Sequence, residues 1–507
     1  MLRNKQSVGG KYSDMDWYDS IRNGKGPNYI SSTLLLAINI INYYDRFSPI
    51  VVIENIKIDL DFTSETKVGI LQASQLIALT LIPPISGPLG DRMSRKNIIL
   101  ISLAIWTLSV LISSFVKSYW SFLACQIFAG IGQANFTTIA PTIIADLFHE
   151  SVSGHKSKLS KWIGIFYLAM PIGGGLSFAL VALIGGKNWR WGIRSSVILS
   201  TIILVMLVFL LKDPPRGRTH TDSSSDGTKA NKTWQEFFSN VRYILSVKSF
   251  TTSLVGQMFA YFAAGAITWW AKVYLRYAAV YRAVILDIDV KNEPHDEEEI
   301  ALAFGAIIFV AGIGGVIVGT LLSIKLRPKY EWIDPIIISF GIFMTIAVGI
   351  PLILIPHISI KGSFGLLFFV CFFTSMTFGI SVDMSLYVIQ PKVRSTSTGI
   401  EMLVGHGFGD AASPWVVGAI AQNRKDYYEE SGIYHNQEER DYYAMRDALW
   451  ITVVALFISA IFFLISAKFV VSDRKNAESH ERRSDTKSYE MRSGTNRNGE
   501  KQTFLST

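Results

Sequence analysis

Apolar positions in this chain gather in long runs of about 20 residues, separated by short charged stretches. A run of 18 or more apolar residues is long enough to cross the ~30 Å hydrocarbon layer of a bilayer as a helix. Twelve such spans are predicted, near 29–53, 67–89, 97–116, 119–146, 160–185, 192–211, 250–276, 300–323, 333–356, 363–390, 395–421 and 448–471. The pattern predicts an all-α membrane protein of five segments. A polar tail, 1–28, precedes a six-helix bundle, 29–211. A central loop, 212–249, leads to a second six-helix bundle, 250–471, and then to a tail, 472–507. That last tail is rich in Ser, Arg and Glu without apolar period, so it is expected to be disordered. Residues 1–28 contain no apolar segment of the signal-peptide kind.

Composition narrows the picture. Of 507 residues, 50% are hydrophobic and only 17% charged, against about 25% charged in an average soluble domain. A soluble enzyme, a nucleic-acid binder and a disordered scaffold are therefore excluded as first readings. The net charge of +8 is explained by where the charges fall. Residues 91–96 carry net +2, as do 149–161, and the central loop carries net +3. The alternate connections are acidic, net −5 over 281–300 and net −3 over 422–447. Basic loops mark the cytosolic side, so both tails and the central loop are expected in the cytosol. Cys125 and Cys371 both lie inside apolar runs, where thiols act as small core residues, so neither a disulfide framework nor a metal site is expected.

The two halves show a weak internal repeat. Gly87-Pro88-Leu89-Gly90-Asp91-Arg92-Met93-Ser94-Arg95 follows the second span, and Gly319-Thr320-Leu321-Leu322-Ser323-Ile324-Lys325-Leu326-Arg327 follows the eighth, with Gly, Leu and Arg at equal spacing. Two related six-helix halves joined by a long loop suit a carrier that rocks about a central site. The first copy, continued by Lys96, resembles the G-x-L-x-D-R-x-G-R-[RK] signature of the major facilitator superfamily, with Ser94 where the family prefers Gly. In that reading Gly87, Asp91, Arg92 and Arg95 form a cytosolic gate: Gly87 lets helix ends approach, Asp91 caps a helix or pairs with an Arg, and the arginines anchor the loop.

A narrower resemblance, to the Spinster family, runs from about residue 40 to 425. It rests on Asn42-Tyr43-Tyr44-Asp45-Arg46-Phe47 in the first span, Thr138 to Phe148 in the fourth, and Ile165 to Gly173 in the fifth. Trp189-Arg190-Trp191 with Arg194, Asp213-Pro214-Pro215-Arg216-Gly217, Arg394-Ser395-Thr396, His406 and Gly409-Asp410-Ala411-Ala412-Ser413-Pro414 continue it in order. The resemblance implies a non-enzymatic secondary carrier without cofactor that moves a lysolipid, of the sphingosine-1-phosphate or lysophospholipid class, by alternating access. It also implies proton coupling, and a late-endosomal, lysosomal or plasma membrane. The expected partners are the lysolipid, protons and membrane lipids; the chain is expected to be a monomer and to bind no nucleic acid.

Charges inside spans are costly, at least ~2.5 kcal/mol each, and face a cavity or a partner. Asp45 and Arg46 are adjacent and point about 100° apart on a helix, so each needs its own surroundings. Asp45 is the candidate proton or gating carboxylate and Arg46 the candidate grip on a phosphate. Gln126, Gly130, Gln133, Thr137 and Pro141 form one polar, small-residue stripe on the fourth span that is expected to face the cavity, so Gln126, Gln133 and Thr137, with Trp269 of the seventh span, are candidate substrate contacts. Where Spinster relatives usually carry Arg and Glu, this chain has Gln126 and Gln133. In the second half, Asp383 is expected in mid-span of the tenth helix, as a further candidate coupling carboxylate. His406 and Asp410, four apart, share a face of the eleventh and are candidate coupling groups. Trp269, Trp270 and Tyr274 either line a lipid-tail path or form an interfacial belt. Tyr12-Ser13-Asp14-Met15 fits a loose endocytic sorting pattern. Two other readings remain open: a facilitator of a sugar or organic anion, and a non-transporting receptor or scaffold.

Overall fold

The structure is a computed structural model that describes residues 26–83, 94–147, 165–166, 168–186, 188–211, 229–286, 297–390 and 393–479. Each predicted span overlaps a described helix, while residues 84–89 of the second span and 160–164 of the fifth lie outside the described residues. The first six are α1 (Gly26–Val51), α2 (Glu65–Leu81), α3 (Arg95–Ser113), α4 (Tyr119–Leu147), α5 (Ala169–Gly185) and α6 (Trp189–Leu210). The second six are α7 (Lys248–Ile285), α8 (Glu297–Leu326), α9 (Ile333–Leu354), α10 (Ile360–Tyr387), α11 (394–431) and α12 (Gln437–Ser466). A bilayer offers no water to a bare backbone, so every span must close its hydrogen bonds internally, and helix is the simplest way to do so.

Three helices run past their apolar stretch: α7 continues to Ile285, α11 to Ser431, and α12 begins at Gln437. Their extensions are rich in Tyr and charge, which hydropathy reads as loop. Here they pack on one another through ring contacts, Tyr281 on Tyr443 at 5.5 Å and Tyr434 on Tyr443 at 4.5 Å. The central polar segment also contains a helix, Lys229–Ser246. Its Ile244 is buried in the second bundle's core while Phe238 and Leu245 stay exposed.

The helix α11 is not uniform. Arg394–Glu401 and Ala412–Ser431 are α-helical, and Met402–Asp410 between them is wound as a π-helix. The glycines of Gly405-His406-Gly407-Phe408-Gly409 weaken the α form locally, and π-wound turns occur mostly at functional sites.

Within the first half, α1 packs on α5 and α6, and α4 on α2 and α3; within the second, α12 packs on α7, α9 and α11, and α10 on α8 and α9. The halves meet along two equivalent seams, α2 against α11 and α5 against α8. Both seams need glycine. A Cβ on Gly69 would stand 2.3 Å from the Pro414 carbonyl, and one on Gly305 would stand 2.9 Å from the Gly175 carbonyl. We call the end where α1 begins and α12 finishes the near end, and the opposite end the far end.

Candidate functional site

Asp45 and Arg46 on α1 serve different bundles. Asp45 is 4% exposed and turns into the first bundle. Its carboxylate accepts hydrogen bonds from Trp106 Nε1 (2.7 Å, α3), Gln133 Nε2 (3.1 Å, α4) and Ser196 Oγ (2.9 Å, α6). Gln133 in turn accepts from Gln75 Nε2 at 3.3 Å. A glutamate at 133 could donate to Asp45 only when protonated, whereas the amide of Gln133 donates at any pH. Three neutral donors thus tie α1 to three neighbours. Replacing Asp45 by Ala leaves Trp106 Nε1 and Gln133 Nε2 buried without acceptor, while Ser196 Oγ keeps the Ile193 carbonyl at 2.9 Å, so D45A is expected to lose roughly 3 kcal/mol of stability. Thermal unfolding in detergent measures this, and an unchanged midpoint would remove Asp45's structural role.

Arg46 points the other way. It is 9% exposed, its guanidinium lies over the Tyr43 ring at 5.0 Å, and its Nε has no hydrogen-bond partner. No carboxylate among the described residues lies within 4 Å of it. The groups it faces electrostatically are Tyr43 and the adjacent Asp45 on its own helix and His406 across on α11.

On α11, His406 Nδ1 lies 3.0 Å from Asp410 Oδ2. The imidazole stacks on Tyr261 of α7, with centroids 4.7 Å apart, and Tyr261 stacks on Phe378 of α10 at 5.5 Å. The Tyr261 hydroxyl accepts from Gln257 Nε2 at 2.6 Å. One π-turn before His406, Glu401 is 8% exposed and sits beside Gln257, Ser385 and His406. The sequence reading missed Glu401, although an ionisable residue inside a predicted span is by itself a signal.

Several buried atoms on α1, α2, α7 and α11 lack hydrogen-bond partners: both amide atoms of Asn42, Arg46 Nε, Gln72 Nε2, Gln75 Oε1, Gln257 Oε1, Glu401 Oε1 and Asp410 Oδ1. Unsatisfied polar atoms inside a bilayer each cost several kcal/mol, so their concentration on α1, α2, α7 and α11 marks a place built for a polar guest.

The remaining candidates fall elsewhere. Gln126 lines a small pocket with Gln72, Leu71 and Trp269. Trp269 is 5% exposed, and its ring lies 5.8 Å from Phe47 of the first half. Trp270 donates to the Pro414 carbonyl and Tyr274 to the Ile353 carbonyl, so these rings are interior rather than an interfacial belt. The Thr137 hydroxyl donates to the Ala134 carbonyl in its own helix. Asp383, expected in mid-span, lies in the last two turns of α10, is 55% exposed and pairs with Arg327. Arg327 also pairs with the fully buried Asp334 at 2.7 Å, and a Cβ on Gly319 would stand 2.1 Å from the Met376 carbonyl. The second-half copy of the repeat is thus a close helix crossing with an arginine anchor. Of its first-half counterpart, Gly87, Asp91 and Arg92 lie outside the described residues, and Arg95 opens α3. The segment Tyr12 to Met15 also lies outside them.

At the far end the halves are joined by charge. Glu65, 1% exposed, pairs with Lys57 at 3.1 Å in its own half and with Lys425 at 3.0 Å in the other. Tyr277 of α7 donates to the same carboxylate at 2.7 Å, the Glu65 backbone N–H donates to Gln422 Oε1, and Lys425 also pairs with Asp441 at 2.7 Å. Nearby, Lys272 donates to the Val51 carbonyl at 2.7 Å. Burial works against charge on Lys57, but Glu65 and Glu54 outweigh it and hold its pKa above the ordinary lysine value. A raised lysine pKa gives stability that is complete below the unfolded value of ~10.4 and lost only as pH rises through the folded value. Lys57 therefore stays charged at physiological pH.

Two six-helix bundles that meet at close glycine seams, with polar groups held between them, define a membrane carrier. The Major Facilitator Superfamily model matches residues 35–414. The chain is 32% identical over 455 residues to protein spinster homolog 3 of Danio rerio, covering 89% of this chain and 87% of that one. It is 27% identical to the sphingosine-1-phosphate transporter SPNS2 of Danio rerio, covering 88% and 86%. The crystal structure of a bacterial homologue of the human lysosomal transporter Spinster, inward-facing and unoccupied, superposes with a TM-score of 0.71 at 19% identity, covering 88% of this chain and 98% of that one. The chain belongs to the major facilitator superfamily and, within it, to the Spinster family. It is a multi-pass membrane transporter.

Proposed function

We propose that this transporter carries a single-chain lipid with an anionic phosphate, of the lysophospholipid or sphingosine-1-phosphate class. Arg46 carries the reading: a buried guanidinium with no carboxylate within 4 Å among the described residues, between the two halves, is suited to bidentate contact with phosphate oxygens. The sphingosine-1-phosphate transport named for one relative agrees with it. The second bundle also has an apolar cavity walled by Ile267, Ala271, Leu275, Ile346, Leu367 and Leu456, which suits alkyl carbons better than a sugar.

With the far end shut by Glu65, the chain is in the state that loads or releases at the near end. The basic loops support a cytosolic near end, and a late-endosomal, lysosomal or plasma membrane is proposed on the resemblance. Proteoliposomes holding the full chain test the substrate. Expected is faster uptake of labelled lysophosphatidate and sphingosine-1-phosphate than of a neutral monoacylglycerol. Equal uptake of all three overturns the phosphate role.

A further inference from the structure

In the first bundle, Asp45 is the candidate carboxylate, and it already accepts from three neutral donors. On α11, Asp410 is engaged by His406 at 3.0 Å. Glu401 differs from both. It is 8% exposed, forms no ion pair within 4 Å among the described residues, and leaves Oε1 with no donor. Its neighbour Gln257 also leaves Oε1 without a donor. Two buried acceptors on adjacent side chains lack a hydrogen that one proton would supply. Glu401 also precedes the π-wound stretch Met402–Asp410, which loosens the backbone around it.

The surrounding elements leave no dedicated cation for it. On α7 stand Gln257 and Tyr261, on α10 Ser385, further along α11 His406 and Asp410, and on α1 Tyr43 and Arg46. The helix Lys229–Ser246 brings Arg242 and Tyr243 to the same end, with Tyr243 bonded to Gln390. Arg46 is oriented toward the guest in the reading above, and His406 toward Asp410. An ionised Glu401 is thus a buried charge with neutral hydrogen-bond partners in Gln257 and Ser385 but no ion pair within 4 Å among the described residues, which is costly, and a protonated one is a neutral donor.

We propose that Glu401 is the proton-carrying group of the inter-bundle site. A proton from water on one side adds to the carboxylate as O–H, offers that hydrogen to Gln257 Oε1, and leaves to water on the other side. The anionic headgroup at Arg46 and the proton at Glu401 then occupy opposite walls, so the loaded site stays near electroneutral. The proposal rests on the carrier reading only for what accompanies the proton.

Infrared titration of the purified full chain reads the carboxyl directly. Wild type is expected to show a protonated-carboxyl carbonyl band that is lost as pH is raised. The E401Q variant should lack that band, and E401D, which keeps the acid and guards against misfolding of E401Q, should shift its frequency. A band unchanged in both overturns the proposal. In proteoliposomes, the ratio of lysolipid flux with a pH gradient to flux without one should fall to parity in E401Q. A wild-type ratio in E401Q also overturns it. If wild type moves no lysolipid, the substrate reading fails, and the infrared titration still decides the role of Glu401.

Discussion

Arg46→Ala is expected to slow transport of a phosphate-bearing lysolipid by about 10- to 100-fold at matched expression. Charge-assisted hydrogen bonds contribute about 1.5–3 kcal/mol each, and 1.4 kcal/mol is a factor of ten. The variant should still fold, because Arg46 makes no ion pair in the described structure and loses only its contact with Tyr43, at most about 1–2 kcal/mol. Arg46→Lys keeps the charge but not the planar fork, so an intermediate rate is expected. The neutral monoacylglycerol is the control: its flux should be equal in wild type and variant. Equal lysolipid flux in wild type and R46A would falsify the phosphate contact.

Glu65→Gln is expected to open the far end. The Glu65 carboxylate is shared by Lys57 and Lys425, which are 10% and 18% exposed. Its neutralisation leaves two ammonium groups facing each other across the seam. Removing one partner of a buried ion pair costs about 3–5 kcal/mol. The Lys57 pair lies within one half and is lost in both states, whereas the contacts with Lys425 and Tyr277 cross the seam, so their loss falls on the far-closed state alone. A shift of 3 kcal/mol changes the ratio of the two states by about a hundredfold. Spin labels at the exposed positions Asp61 and Glu429 report the separation between the halves. Their distance distribution should move to longer values in E65Q, and an unmoved distribution means that Glu65 does not hold the seam. Because Lys57 stays charged through physiological pH, the shift should be the same at mildly acidic and neutral pH.

The helices were legible because membrane burial imposes a minimum apolar length, and that length is written locally. The tyrosine-rich extensions of α7, α11 and α12 were not, because their stability comes from packing on each other at the far end. The candidate site was legible in part. Helical geometry required Asp45 and Arg46 to face apart, but nothing local says that Trp106, Gln133 and Ser196 converge on Asp45. Asp383 shows the converse. Its charge in a predicted span drew attention, yet Arg327 claims it near the end of α10. The motif residues Arg190 and Arg194 likewise serve the first bundle, through Asp59 and Ser114.

The residue pattern alone predicts twelve spans, two halves and a charge-marked orientation, and shows that ionisable groups lie inside the apolar runs. It does not say which groups are spent and which are free. The near-identical burial of Asp45 and Glu401, 4% and 8% exposed, hides opposite states, one with three donors and one with an empty oxygen. The same holds for Glu65, an ordinary acid at a span's edge that becomes the lock between halves. The reason is geometric. A helical period of 3.6 residues sets the face a side chain shares with its own neighbours, but which other helix meets that face is set by packing hundreds of residues away.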